Sequence, residues 1–213
     1  MTPILKDDFE TKLGVIQTSV ESDYSDAVMR EGGYTKTLGH KIHFQVFEIK
    51  NEWLNNKTMK IETSRGYRYH IEKISEAVEN LHIYCKLINP TKDTSFGSAT
   101  GEFLDAIEIE NATDVIHIGT EDSELMRARA EISDWMPERF KNKLNLSYSF
   151  TEFIDYGFRT IVPHLKLGER IYFHFLIATN TVKQSADYPD ELDISTWFAV
   201  DQHKQFLDKA LQS

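Results

Sequence analysis

The sequence predicts an α+β fold, mostly antiparallel β-sheet that can divide into two packed sheets, with three or four short helices. Three observations carry this expectation. Apolar and polar residues alternate with a period of two through several runs, the pattern of strands with one covered face. Aromatic residues make up 12% of the chain, with 13 Phe and 9 Tyr, and such residues favour strands. Helical spacing is confined to short segments, so helices flank the sheet rather than form the core.

The elements follow in chain order. Glu21–Gly39, which ends in EGGYTKTLG, reads as loop. Lys41–Lys50 alternates, with Ile42, Phe44 and Val46 on one face, and is expected as a strand. Ile71–Asn80 spaces Ile71, Ile74 and Val78 for one face of a helix. Leu81–Ile88 alternates cleanly: Leu81, Ile83, Cys85 and Leu87 face one way, and His82, Tyr84 and Lys86 the other. Pro90–Gly101 reads as loop.

Phe103–Glu110 and Asp114–Gly119 are expected to form a hairpin through Asn111-Ala112, with Ile107 opposite Ile116 and Ile109 opposite Asp114. That register puts Phe103, Ile107, Ile109, Ile116 and Ile118 on an apolar face, with Glu108, Glu110 and His117 on the other. Asp105 falls in phase with Phe103 and Ile107, and is expected at the strand's solvated open end. Ser123–Ile132 is a helix capped by Thr120 or Asp122, with early acids at the positive end of its dipole. Pro137 suits the first turn of a second short helix, Pro137–Leu144.

Tyr148–Val162 and Arg170–Ala178 read as a long strand pair around the loop PHLKLGE. The return strand is apolar on both faces, as a strand covered on two sides should be. Thr181–Asp193 is loop, Ile194–Val200 a short strand, and Asp201–Leu211 a closing helix. Neither a repeat nor a low-complexity linker interrupts residues 1–213, which are expected to form a single domain.

Charge is the most informative feature for function. The formal net charge is −10, and residues 101–213 carry 20 acids against 11 bases. Between Lys92 and Arg127 lie nine acidic residues and no Lys or Arg. A second base-free run, between Lys183 and Lys204, holds Asp187, Asp190, Glu191, Asp193 and Asp201. Such a surface repels phosphate backbones and attracts cationic partners, so nucleic acid is not expected to bind. No apolar run reaches membrane-spanning length, and the single cysteine excludes an internal disulfide framework. A cytoplasmic protein without membrane attachment is the expectation.

No catalytic signature stands out. The phosphate-cradling and nucleophile-elbow motifs are missing, as is metal-ligand spacing of histidines. His40 and His43, three apart at a strand entrance, are expected half-exposed, and His174 as a structural residue. Cys85 is in phase with its apolar neighbours and reads as core. GTEDSE (Gly119–Glu124) and DYPDELD (Asp187–Asp193) match no calcium loop, so no catalytic residue, metal or cofactor is expected.

The expected function is a non-enzymatic acidic binding or inhibitory module that docks on a basic protein, comparable in charge and size to immunity proteins. Charge partners are Glu108, Glu110, Glu121, Asp122 and Glu124, with His117 beside them, and aromatic anchors are Tyr148, Tyr156, Tyr188 and Trp197. The alternatives are a metal-assisted hydrolase or nuclease with a dispersed carboxylate site, or a structural subunit in an oligomer or larger complex.

Overall fold

A computed structural model of the chain describes residues 1–24, 29–31, 34–51, 57–145 and 147–210, with backbone alone for 29–31 and 203–210. In chain order the first strands are β1 (Thr2–Thr11), β2 (Gly14–Ser22), β3 (Met29–Glu31), β4 (Tyr34–Lys36), β5 (His40–Phe47) and β6 (Thr63–Lys73). β7 (Leu81–Ile88), β8 (Ser95–Ser98), β9 (Leu104–Glu110), β10 (Asp114–Glu121) and helix α1 (Ser123–Ile132) follow. β11 (Thr151–Ile154), β12 (Gly157–Ile161), β13 (Arg170–Thr181) and helix α2 (Ser195–Ala210) complete the order.

Two sheets result, one of five strands in the order β1-β2-β7-β12-β11 and one of eight in the order β3-β4-β5-β6-β13-β10-β9-β8. All neighbouring pairs are antiparallel. The expected α+β class with packed antiparallel sheets is therefore what forms.

The alternating residues of the two sheets meet in one core. The smaller sheet contributes Ile16, Val20, Ile83, Cys85, Leu87 and Phe158; the larger contributes Tyr67, Tyr69, Ile107, Ile116, Phe173 and Phe175 among others. The outer face of the larger sheet is covered in part by α2, whose Ala199 and Val200 pack on Leu104, Ala106, Leu176 and Ala178. That approach needs Gly119, because a Cβ there would stand 3.0 Å from Val200 Cβ. β13 is thus buried on both faces, as its composition predicts. No helix of the described residues is long and apolar enough to cross a membrane.

Several expectations are corrected. Ile71–Asn80 is not a helix: Ile71 lies on the buried face of β6, opposite Ile42 and Ile171, and Val78 is 68% exposed. Cross-strand burial outweighs the chance helical spacing. Pro137–Leu144 contains only a 3-10 turn at Glu138–Phe140, so two α-helices stand among the described residues rather than three or four. Ile194–Val200 is not a strand but leads into α2, where Asp193 Oδ1 accepts from Ser195 N at 2.8 Å. The expected closing helix is the remainder of α2, although Leu211 lies outside the described residues.

Tyr148–Val162 does not pair with Arg170–Ala178. It folds on itself as the β11–β12 hairpin of the smaller sheet, while β13 enters the larger one. The β9–β10 turn is longer than expected because Asn111 Oδ1 accepts from Thr113 N and Asp114 N, both at 2.9 Å. Ile107 consequently opposes Ile118, and Ile109 opposes Ile116. The slip is by two positions, so the faces keep their identity. Phe103 is the exception: at φ 60° it lies in the turn before β9 and is 41% exposed. Part of Glu21–Gly39 lies outside the described residues, and its described portion includes the end of β2 and β4.

Candidate functional site

The ten residues singled out by charge and aromaticity do not form one surface. Glu108, Glu110 and His117 lie on the outer face of β9–β10. There His117 is buried between Glu108 Oε2, 3.2 Å from its Nε2, and Thr196 Oγ1, 2.9 Å from its Nδ1. That hydrogen bond holds the Glu108 carboxyl below its usual range, against an opposing effect of burial. Trp197 is nearby, half-buried, with Nε1 donating to Ala99 O at 2.8 Å. Tyr156 sits apart in the left-handed turn between β11 and β12, its hydroxyl donating to Thr94 O at 3.1 Å. Tyr188 is exposed on the loop before α2.

Glu121, expected among the outward charges, is fully buried. One oxygen accepts from Arg129 Nη1 at 3.0 Å, and the other is 2.9 Å from His174 Nδ1. Burial would push its carboxyl up, but the His174 and Arg129 charges outweigh it and hold the group down at about 2. Arg129 also stacks 4.5 Å over the Tyr172 ring. The reason for burial is register: Glu121 shares its face of β10 with Gly119 and His117, which the two helices cover. His40, expected half-exposed, is instead buried against Glu79, while His43 lies on the opposite face of β5 and is half-buried.

Asp122, Glu124 and Tyr148 come to the end of the sandwich where β9 begins and β10 ends. A cavity of about 560 Å³ opens there between the sheets. One wall is Asp105, Asp122 and Ser123; the other is formed by Tyr148, Phe150, Thr151, Glu152, Phe153 and Ile161. Asp122 caps α1, with Oδ1 accepting from Leu125 N at 2.8 Å, while Glu124 is exposed on the first helical turn. Tyr148 is fixed by reciprocal backbone bonds with Asn145, of 3.0 and 3.1 Å, and its ring is 50% exposed. Phe153 adds a second exposed ring, and Glu152 is paired with Arg159.

Asp105 is the residue that sequence reasoning undervalued. Its phase with Ile107 directs it between the sheets rather than to open solvent, and it is half-buried. Burial, then the negative charges of Asp122 and Glu121, push its carboxyl up to about 6. The signal was visible in the sequence: an acid in phase with core residues.

Chemically, the mouth combines Asp105 and Asp122, which form no ion pair among the described residues, with exposed ring faces, and both features receive a cationic side chain. The other cavities differ. A recess of about 250 Å³ at the opposite end contains Lys12, which bridges Glu62 at 2.7 Å and Asp114 at 3.1 Å. A larger one, about 800 Å³, lies beside the end of α1, where Arg139 pairs with Glu169 at 2.5 Å. Among the described residues no group of three or more His, Cys, Asp or Glu could hold a metal ion. No protein-family profile matches the chain, nor does any curated protein or solved structure, so its functional reading rests on this geometry.

Proposed function

We propose that the protein is a non-enzymatic binding module of the cytoplasm that docks on a basic protein, as an inhibitor or immunity protein does. In this reading the mouth between the sheets takes a cationic side chain of the partner, with Tyr148 as an aromatic anchor and Glu124 at the rim. The observation that carries it is Asp105: a half-buried acid that lines the mouth with Asp122, its carboxyl raised to about 6 by burial and then by the charges of Asp122 and Glu121. An arriving guanidinium or ammonium group relieves that repulsion, which gives the site a preference for cations beyond the net charge of −10.

The test is affinity capture from native lysate, followed by titration of the purified partner. Asp105→Asn/Asp122→Asn removes two charges while Asn still caps α1. Wild type should return one dominant basic protein with salt-sensitive affinity, and the double variant should bind it at least about tenfold more weakly. Equal affinity in the variant, or only diffuse low-salt capture of many basic proteins, rejects the reading. The metal-assisted hydrolase reading has a single supporting feature, a carboxyl poised near neutrality at Asp105. It predicts strong thermal stabilisation by Mg²⁺ or Mn²⁺.

A further inference from the structure

The larger sheet carries a second open surface, on its outer side away from α2. Tyr34, His43 and His70, each half-buried, and the fully buried Tyr172 stand opposite one another across β4, β5, β6 and β13. Their rings form a row, with centroids 4.9 Å apart for Tyr34–His43, 6.0 Å for His43–His70 and 5.1 Å for His70–Tyr172. Trp135 closes on His70 at 4.4 Å. Cations flank the row on both sides. Arg68 lies two residues along β6 from His70, on the same face, with Nε held by Gln45 Oε1 at 2.7 Å. Lys41 stands 3.9 Å over the Tyr34 ring, and Arg170 lies 3.8 Å from Glu72.

Two features distinguish this face from an ordinary solvated strand surface. Lys41 and Arg68 have no carboxylate partner among the described residues, although acids outnumber bases by 34 to 24 in the chain. The half-buried imidazoles of His43 and His70 make no hydrogen bond with any described residue. A site short of acceptors in an acid-rich protein is arranged for an acceptor from outside.

We propose that His43, His70, Lys41 and Arg68 form a binding site for the phosphoryl group of a small phosphorylated molecule. A neutral imidazole supplies one N–H, and Arg68 still has its terminal NH₂ groups once Nε is engaged. With the Lys41 ammonium these donors come from two adjacent strands, on either side of His43, and suit an anionic group with several acceptor oxygens. A long polyanion is disfavoured by the surrounding net charge of −10. The local field agrees with the geometry. Burial first, and then Arg68 and Lys41, hold His43 below its ordinary range; burial, Arg68, His43 and Arg129 hold His70 at about 4. Glu72, opposite Lys41 in the register, faces the row and is paired with Arg170, and the backbone of β3 sets Glu31 opposite Tyr34.

The test is titration of the protein with inorganic phosphate and pyrophosphate at constant ionic strength, following histidine ring protons by NMR. The ring signals of His43 and His70 should move saturably, more tightly for pyrophosphate. Arg68→Gln should weaken binding at least about tenfold, the expected loss for a hydrogen bond to a charged group. Lys92→Gln, an equal charge change on an exposed loop, should leave it unaltered. If Arg68→Gln melts abnormally, His43→Gln carries the same expectation. Immobile His43 and His70 signals overturn the proposal, as does equal weakening by Lys92→Gln. A single-stranded oligonucleotide binding more tightly than pyrophosphate would overturn the assignment to a small ligand.

Discussion

Glu79 offers the sharpest test of how the two sheets are tied together. Its side chain is buried in the loop after β6 and accepts from four donors. Ser22 Oγ of β2 donates at 2.6 Å, Thr37 Oγ1 at 2.5 Å, Gly39 N at 2.9 Å, and His40 Nδ1 of β5 lies at 2.9 Å. One carboxylate thus joins the smaller sheet to the larger. Burial pushes this carboxyl up, but the hydrogen bonds from His40, Ser22, Thr37 and Gly39 outweigh it and hold the group at about 2, against an ordinary 4.5. Because the folded value is the lower one, the stabilisation is fully present above pH 4.5 and is lost as pH falls towards 2. Its size at neutral pH is about 3 kcal/mol.

Glu79→Gln keeps the shape and can still turn one oxygen towards Thr37, Gly39 and His40, but removes the charge that strengthens all four bonds. The variant should lose about 3 kcal/mol at pH 7 in urea unfolding followed by tryptophan fluorescence. Repeated at descending pH, the gap to wild type should narrow from pH 4.5 downwards. A variant as stable as wild type at pH 7, or a gap that ignores pH, would refute the assignment of that energy to the ionised carboxylate.

Three further outcomes are expected. Asp105→Asn should raise stability at pH 7 by about 1–2 kcal/mol, allowing for solvent screening of a partly exposed group. The raised folded value makes the wild type lose stability as pH climbs from 3.8 to about 6, so melting curves of the two proteins should converge below that window and diverge above it. Arg129→Met should cost about 3–5 kcal/mol by stranding Glu121 in the interior, and the double variant Glu121→Gln/Arg129→Met should recover much of it. Additive losses in that cycle would mean the pair does not act as a unit. Gly157→Ala drives a Cβ to 2.2 Å from Cys85 O, and should cost at least about 2 kcal/mol in chemical denaturation; a neutral effect would contradict the observed β7–β12 pairing.

The acidic tract shows how far local reading reaches. Its hairpin faces were legible because a period of two survives a slip of two positions, even though the Asn111 turn changed which residues oppose each other. Its exposure was not legible. Glu121 depends on Arg129, which a helix turns back towards it, and on His174, 53 positions along the chain. The same limit applies to Ile71–Asn80, where helical spacing gives no hint that Ile42 and Ile171 stand ready on either side. In ISTWFAV, β-branched and aromatic side chains suggested a strand, yet Ala199 and Val200 find better burial as one face of α2.

Some features needed only neighbours in the chain. The bounds of Leu81–Ile88 and of Ser123–Ile132 with its Asp122 cap, and the alternation of core faces, follow from side-chain period and from hydrogen bonds spanning three residues. Tertiary structure alone decided which acids keep their charge towards solvent, that Asp105 lines a mouth between sheets, and that His43 and His70 meet beside Arg68. These depend on the electrostatic and packing environment of residues far apart in sequence, and a local pattern contains no record of that environment.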